Sequence, residues 1–400
     1  MRQISARCED NSLKFRALLT VSLFVTLIHN AAADVALDHA PQPPDIQAAS
    51  WVLMDYTTGQ VLTAHNEHEK RNPASLTKLM TGYVVDRAID SKKISPDDIV
   101  TVGPDAWAKG NPVFDGSSLM FLKAGDKVSV HDLSRGLIVD SGNDACVALA
   151  DYVAGGQREF VGMMNHYVNK LGMRDTHFET VHGLDAPGQH STAWDLALLS
   201  RAIIHGEPDF YHMYSEKSLT WNGITQQNRN GLLWDDTLNV DGLKTGHTAS
   251  AGFNIIASGV YGNRRLIVVV MGGESPKGRE EQARKLLNWG RQNFDTVQIL
   301  TKGQRFGTEK VWYGDNETVD VGADQDFWMV LPKSELARVK ARYILDKPDL
   351  EAPMALHQRI GEIELHDRDK VIARWPLVTL GKVEQGGMFS RLSDFLHKTL

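Results

Sequence analysis

The chain has little cysteine and no strongly basic run, and both absences narrow its class. It holds 2 cysteines, Cys8 and Cys146, in 400 residues. Since Cys8 falls in a predicted leader, Cys146 is left without an intramolecular disulfide partner. Its apolar surroundings, Ala145 to Ala150, predict a buried helical thiol rather than a reactive one. The formal net charge of -7 argues against nucleic-acid binding.

The sequence also lacks a metal-binding pattern. Four histidines cluster in the middle of the chain, but none falls into an H-x-x-x-H or H-E-x-x-H spacing and no cysteine pair assists them. These histidines are His166, His177, His182 and His190. We therefore expect no metal and no cofactor.

No apolar run is long enough for a comfortable membrane span. The longest one near the start, residues 17–28, follows Lys14 and Arg16 and precedes Ala31-x-Ala33, which is typical of a secretory signal peptide. We predict that residues 1–33 are the signal peptide; a retained anchor is the alternative. The roughly 365 remaining residues suffice for two modest domains. A composition of 42% hydrophobic and 23% charged residues is that of a soluble globular protein.

Hydrophobic periodicity places the elements of a first domain, residues 34–294. Two short strands around Thr57–Gln60 indicate a β-hairpin, and a helix is predicted from Ser75 to about Asp90. Further helices are expected at 131–140, 144–152, 194–204 and 280–294. Apolar runs at 253–258 and 265–271 predict buried strands of an antiparallel sheet. The fold class is therefore α/β, a sheet with helices packed on it.

Ser75-Leu76-Thr77-Lys78 places a hydroxyl and an amine one helical turn apart. Because residues i and i+3 of a helix project from the same face, the Lys78 amine can reach the Ser75 hydroxyl. A serine with a base in reach is a nucleophile candidate. Ordinary composition produces such a spacing by chance about once or twice in a chain of this length, so this motif alone is weak.

Two further motifs follow in order. Ser141-Gly142-Asn143 breaks two predicted helices, where an Asn-capped turn is the simpler explanation. Lys244-Thr245-Gly246, followed by His247, is a rarer triplet, expected on the order of a tenth of a time by chance.

Together the three motifs resemble those of the serine penicillin-binding proteins and β-lactamases. The whole chain is more similar to the low-molecular-mass penicillin-binding proteins, the serine-type D-alanyl-D-alanine carboxypeptidases of the Gram-negative periplasm, and among them to a minor paralogue. The resemblance also covers residues 181–185, 228–234 and 277–279. Ala249 departs from it, since an acidic residue is expected there in the major paralogue.

The resemblance implies a penicillin-recognising fold and a set of roles. Ser75 would attack the carbonyl between two terminal D-alanines of a peptidoglycan pentapeptide, and penicillins would acylate the same oxygen. Lys78 would be the general base, with Lys244 lowering its pKa, and Ser141 would relay the proton. Asn143 would hold Lys78 and the substrate amide.

The remaining roles concern substrate binding. Gly246 would let the peptide add to the strand edge, and the amides of Ser75 and His247 would form the oxyanion hole. Arg279, with Thr245 and His247, would bind the terminal carboxylate. A solvated charge at the start of a helix is the alternative for Arg279.

After residue 294 the pattern changes to short alternating strands, which predicts a small all-β domain at 295–383 serving as a spacer. Residues 384–400 then form an amphipathic segment, with Met388, Phe389, Leu392, Phe395, Leu396 and Leu400 on one arc. We expect a helix that attaches the protein peripherally to the outer face of the inner membrane; packing on its own domain is the alternative.

The sequence thus predicts a periplasmic D-alanyl-D-alanine carboxypeptidase. A β-lactamase is the enzymatic rival, but it needs an additional base for deacylation that the motifs do not supply. A wall-binding or shape-determining module with a weak, relic site is the other rival, and Ala249 keeps it open.

Overall fold

The computed structural model describes residues 41–399, and the predicted signal peptide lies outside them. The helices are α1 Thr77–Asp90, α2 Val130–Ile138, α3 Asn143–Ala154, α4 Gln157–Lys170, α5 Ala193–Ile204, α6 Pro208–His212, α7 Pro276–Asn293 and α8 Met388–Thr399. The strands are β1 Ser50–Asp55, β2 Val61–His65, β3 Ile99–Thr101, β4 Lys127–Ser129, β5 Ser218–Trp221, β6 Ile224–Gln227, β7 Val240–Thr248, β8 Gly252–Tyr261, β9 Arg264–Gly273, β10 Phe294–Leu300, β11 Arg305–Trp312, β12 Thr318–Gly322, β13 Phe327–Pro332, β14 Val339–Leu345, β15 Leu350–Glu351, β16 Arg359–Asp367 and β17 Lys370–Thr379. Within residues 41–399 no helix has the length and apolar character that crossing a bilayer requires.

A five-stranded antiparallel sheet in the order β2-β1-β9-β8-β7 organises the N-terminal domain. Strand β9 supplies its continuous apolar run to both faces: Ile267 and Val269 join the core beneath α1 and α5, whereas Val268 and Val270 pack with α7. A strand buried on both faces reads as an uninterrupted apolar run. This confirms the predicted antiparallel sheet between helices.

Helix boundaries follow the capping residues. Helix α7 begins at Pro276 because the Ser275 side chain accepts a hydrogen bond from the amide of Gly278. The prediction placed this start at Glu280, four residues too late, so Arg279 lies inside the first turn. Before α1, residues Ala74–Leu76 form a 3₁₀ turn that carries Ser75.

Two Asn-Gly pairs of this domain have different structures. Asn222-Gly223 joins β5 to β6 as a tight hairpin, as expected from an Asn-Gly pair. Asn230-Gly231 does not join two strands: it starts a 3₁₀ turn, Gly231–Trp234, with the Asn230 side chain accepting from Leu232 N. An Asn side chain that caps a helical turn competes with a hairpin at such a dipeptide.

The C-terminal domain is all-β, as predicted. A six-stranded sheet in the order β14-β16-β17-β12-β11-β15 packs beside the β10-β13 pair. Polar contacts join it to the N-terminal domain: Asp55 accepts from the Thr296 hydroxyl at 2.5 Å, and the side-chain oxygen of Gln60 accepts from Val330 N at 3.2 Å. Helix α8 closes the described chain, and confirms the predicted terminal helix.

Candidate active site

Ser75 lies in the 3₁₀ turn Ala74–Leu76, which contacts helix α1 and strands β7 and β8. This turn begins at Ala74, whose φ is 50°, and the Asn72 side chain accepts from the Ala74 amide at 3.0 Å. Asn254 of β8 donates to the carbonyls of Asn72 and Pro73, both at 3.2 Å. The sheet therefore holds the chain just before Ser75, whose side chain stays half-buried and reachable.

Lys78 is fully buried one turn later and makes three close contacts. Its Nζ lies 3.1 Å from Ser75 Oγ, 2.6 Å from Asn143 Oδ1 and 2.6 Å from the His182 carbonyl oxygen. Burial, the largest cause, lowers the pKa of Lys78 to about 8. An ammonium that loses its hydration favours the neutral amine.

Ser141 lies between α2 and α3, and Asn143 is the first residue of α3; both are buried. Ser141 Oγ accepts a hydrogen bond from Lys244 Nζ at 2.9 Å. The next acid, Asp144, accepts from the amides of Met120 and Leu122 at 2.8 and 2.9 Å. Asp144 thus ties the segment around Met120 and Leu122 to α3, and both of its carboxylate oxygens already accept hydrogen bonds.

Strand β7 is the outer edge of the sheet and faces Ser75 and Ser141; the space along this edge is the active-site groove. Lys244, Thr245 and Gly246 are buried, whereas His247 is exposed and stacks on Phe253 with ring centroids 4.0 Å apart. A Cβ at Gly246 would come within 3.0 Å of the Ser75 amide nitrogen. The close approach of β7 to the Ser75 turn therefore favours glycine at this position.

The electrostatics differ from the sequence prediction in one respect. The prediction made Lys244 the cause of the lowered pKa of Lys78, but burial is the main cause, and the positive charge of Arg229 adds to it. Burial also lowers the pKa of Lys244, with Lys78 and Arg229 acting in the same direction. The pKa of both lysines therefore depends mainly on their burial, which tertiary packing sets and the motifs do not reveal.

Arg279 is 5% exposed and points into the domain rather than into solvent. It donates to the carbonyls of Gly246 and Asn254, both at a long 3.3 Å, and its Nε has no partner among residues 41–399. Burial lowers its pKa to about 10. The alternative of a solvated surface charge is wrong, because α7 starts early enough to bring Arg279 against β7 and β8.

Three contributors were not assigned these positions from the sequence. The carbonyl of His182 binds Lys78, Asn254 holds the turn before Ser75, and Arg229 donates to the Asp140 carbonyl at 2.5 Å. His182 was weighed only as a metal ligand; burial lowers its pKa to about 3. The sequence does not show which backbone carbonyl will bind a side chain. Only the two asparagines that flank Arg229, Asn228 and Asn230, indicate a hydrogen-bonded loop.

Other predicted features can now be placed. The thiol of Cys146 is buried, as predicted. Ala249 is exposed in the turn between β7 and β8, two residues beyond His247. Among the described residues no group of three His, Cys, Asp or Glu side chains could hold a metal ion.

A reachable serine beside a buried amine, a second lysine and serine pair, and an open strand edge define a serine acyl-transfer site of the penicillin-recognising class. Residues 37–275 match the peptidase S11 family, D-alanyl-D-alanine carboxypeptidase, and residues 294–385 match the C-terminal domain of penicillin-binding protein 5. The chain belongs to this D-alanyl-D-alanine carboxypeptidase family of serine peptidases.

Relatives and solved structures agree. The chain is 72% identical to D-alanyl-D-alanine carboxypeptidase DacD of Escherichia coli K12 over 385 residues, 96% of this chain and 99% of that protein. Identity to DacA of the same strain is 49% over 383 residues, 95% of each. The crystal structure of penicillin-binding protein 6B from Escherichia coli matches with a TM-score of 0.75 and 72% identity, covering 86% of this chain and 98% of that one.

These matches confirm the predicted family, fold and enzyme class, including the likeness to a DacD-type paralogue. The protein is a hydrolase of the carboxypeptidase type. They favour this interpretation over a β-lactamase.

Proposed function

We propose that the enzyme removes the terminal D-alanine from peptidoglycan pentapeptide stems through an acyl-enzyme on Ser75, and that penicillins acylate the same oxygen. The triple contact of Lys78 Nζ carries this proposal. A neutral lysine amine has two hydrogens and one lone pair. The Asn143 and His182 oxygens can only accept, so they take both hydrogens, and the lone pair faces Ser75.

Acylation then proceeds with the proton accounted for at each step. Ser75 Oγ attacks the carbonyl carbon while Lys78 Nζ takes its proton. Ser141, hydrogen-bonded to Lys244, relays this proton from Lys78 to the departing D-alanine amine as the peptide bond breaks, which leaves Lys78 neutral again. Water then attacks the ester with its proton going to Lys78, and the Ser75 hydroxyl is restored.

The substrate lies along the open edge of β7. An extended peptide can pair with this strand because, among residues 41–399, no further strand lies beside it in the sheet. The amides of Ser75 and His247 stabilise the developing oxyanion, a contribution of about 3–4 kcal/mol per donor in a well-studied protease. The terminal carboxylate binds to Thr245, His247 and the guanidinium of Arg279, which has only two long hydrogen bonds within the described chain.

A β-lactamase needs a further base for fast deacylation. Of the two buried acids that flank the second motif, Asp140 and Asp144, Asp144 has both oxygens hydrogen-bonded to the amides of Met120 and Leu122. We therefore assign slow release of penicillins and turnover of peptides to this site.

We further propose that residues 34–294 are the catalytic domain, 295–383 a spacer and 384–400 a membrane attachment, which places the enzyme in the periplasm on the inner membrane. Helix α8 leaves its apolar side chains in solvent: Met388 is 85% and Phe389 91% exposed. Its polar side chains contact the β domain instead. Tyr313 N donates to Asp394 at 2.6 Å, and Lys398 lies 2.6 Å from Glu351.

This polar clasp, Asp394 and Lys398 with their partners, turns the apolar arc of α8 outward. An amphipathic helix held so can lie in the headgroup region without unfolding its own domain. The alternative, an apolar face packed on the domain, does not fit these exposures. Further apolar side chains on the same arc, Leu392, Phe395 and Leu396, are each more than half exposed.

The test of the catalytic proposal is mass mapping after penicillin treatment. We expect one covalent acyl group, on the peptide that contains Ser75, and none in Ser75→Ala. D-alanine release from a pentapeptide should disappear in the same variant. An adduct on a different serine would refute the assignment.

A further inference from the structure

The backbone at Ser141 has an unusual conformation. Its φ of 58° is in the left-handed region, which an L-residue with a side chain seldom adopts. Such a residue keeps this conformation only when its surroundings hold it. The following residues are held through Gly142 N, which donates to Gly136 O at 2.9 Å, and Asn143 N, which donates to Ser118 O at 2.8 Å.

On the other side, Arg229 holds the peptide that leads into Ser141. Its Nη1 donates to the Asp140 carbonyl at 2.5 Å. That carbonyl and the Ser141 nitrogen belong to one planar peptide unit. Fixing the carbonyl therefore fixes one end of the bond about which φ of Ser141 rotates.

The backbone around Arg229 is itself tied down. Asn228 N donates to Lys217 O at 2.9 Å, and the Asn228 side chain accepts from Asn230 N at 3.0 Å. The Asn230 side chain donates to the Gly242 carbonyl at 3.2 Å, which links the segment to β7.

Helix α7 supplies the last tie. The carboxylate of Glu280 accepts from Gly231 N at 3.0 Å. The segment 228–231 is thus fixed to β7, to α7 and to the β5-β6 hairpin, and it presents its one long cationic side chain to the Asp140 carbonyl.

We propose that Arg229 is a positioning residue, which holds the Asp140-Ser141 peptide so that the Ser141 hydroxyl stays on Lys244 and within reach of the departing amine. This inference rests on the proposed relay by Ser141. Arg229 acts through the backbone of Ser141, and no contact with the substrate is required of it.

The guanidinium also adds positive charge beside both lysines. It lowers the pKa of Lys78 and of Lys244. The other groups that act on Lys78 are Asp144 and Cys146 of α3, which raise its pKa, while Lys78 in turn acts on the neutral His182. Removing the Arg229 charge should therefore move the pH dependence of acylation upward.

One neighbouring acid titrates in the same range. Burial raises the pKa of Asp140 to about 7, with Asp144 acting in the same direction and Arg229 and Arg135 opposing it. An Asp140→Asn variant keeps the backbone carbonyl and removes this titration, so it separates the two sources of pH dependence.

The experiment compares Arg229→Gln, Arg229→Lys and the control Arg291→Gln in the full mature chain. Arg291 also donates to one backbone carbonyl, Thr237 O at 2.7 Å, but on α7 outside the groove. We measure the single-turnover rate of penicillin acylation from pH 6 to 10, and kcat and KM for a pentapeptide.

Arg229→Gln should lower the acylation rate about tenfold to hundredfold, as expected for losing a hydrogen bond from a charged group. The loss should appear in kcat, and the rising limb of the pH profile should move to higher pH, also in the Asp140→Asn background. Arg229→Lys should keep the limb in place and recover part of the rate. Arg291→Gln should match the wild type.

Two results would overturn the inference. A higher KM with unchanged kcat would make Arg229 a substrate contact, and an unchanged rate and limb would make the contact with Asp140 irrelevant. A Ser141→Ala variant that keeps full acylation would instead refute the relay itself. Thermal melts of each variant exclude misfolding as the cause, and a wild type that forms no Ser75 adduct would fail the proposed function separately.

Discussion

The two domains of this protein break the usual partition of polar and apolar groups in opposite directions. The N-terminal domain buries two lysines and an arginine around its groove, Lys78, Lys244 and Arg279. The C-terminal domain carries a helix whose most exposed apolar side chains, Met388 and Phe389, are in solvent. Buried charge and exposed apolar surface are the informative exceptions in a folded protein.

The two exceptions serve different properties: the buried amines concern the reaction, and the exposed helix concerns where the protein binds. Buried amines change their protonation, which serves acyl transfer. An exposed apolar helix gains nothing from water and gains free energy from a lipid interface. The two domains meet through polar contacts, Asp55 with Thr296 and Gln60 with the Val330 amide, and through the Val330 side chain in an apolar cluster. We expect the two functions to be separable by mutation because the groove and α8 lie in different domains.

The largest effect should come from the amine in the groove. Lys78→Ala removes the proposed base and should lower penicillin acylation about a thousandfold or more while vesicle binding stays unchanged. The control Lys93→Ala deletes a lysine that donates to one carbonyl, Val153 O at 3.0 Å, elsewhere in the same domain. Stopped acylation assays and vesicle co-sedimentation measure the two properties. Loss of both properties in Lys78→Ala would show that the two domains are not independent.

Next comes deletion of residues 386–400. The truncated chain should lose about a hundredfold or more in affinity for phospholipid vesicles, because several large apolar side chains no longer leave water. Its kcat/KM on a small peptide should equal that of the full chain. The arc is apolar, and Asp394 and Lys398 are already paired with groups of the β domain. Added salt should therefore release little protein.

A matched pair of point variants tests the same helix. Phe395 is 57% exposed on α8 and Ile344 is 54% exposed on β14 of the same domain. Phe395→Ser should weaken vesicle binding and Ile344→Ser should not. Equal losses from both would place the lipid contact on the domain as a whole.

A smaller effect is expected at the far end of the groove. Arg279→Ala should lower kcat/KM for a pentapeptide about thirtyfold or more, since truncating one partner of a desolvated charge pair costs roughly 2–5 kcal/mol. Amidating the terminal carboxylate should harm the wild type heavily and the variant little. Arg291→Ala, on the same helix, is the control. Equal discrimination against the amide by both enzymes would pass the anchor role to Thr245 and His247.

The mildest test is the pH profile of acylation. With the pKa of Lys78 lowered to about 8, the fraction of neutral amine rises about tenfold per pH unit below 8 and levels off above it. The acylation rate should follow the same curve, and the apparent pKa belongs to Lys78 and Lys244 as a pair. The very low pKa of His182 keeps that ring neutral throughout. A rate that is flat from pH 6 to 8 would exclude a titrating amine as the base.

Much of this could be predicted from local sequence. The apolar runs of β8 and β9, the spacing of Ser75 and Lys78 and the amphipathic arc of α8 each depend on residues near one another in the chain. The order of the three motifs indicated the family, which the comparisons confirm. Helix starts were less certain, because the Ser275 cap and Pro276 moved α7 earlier than its apolar pattern suggested.

Only the tertiary structure decided the chemistry of the groove and the orientation of the tail. Asn143 and His182 reach Lys78 from 65 and 104 residues away, and no periodicity records which backbone carbonyl will face an amine. The left-handed Ser141 and its tie to Arg229 also depend on how two separate loops pack. Likewise, the sequence alone could predict an apolar arc on α8, but it is the contacts of Asp394 and Lys398 with the β domain that turn this arc toward solvent.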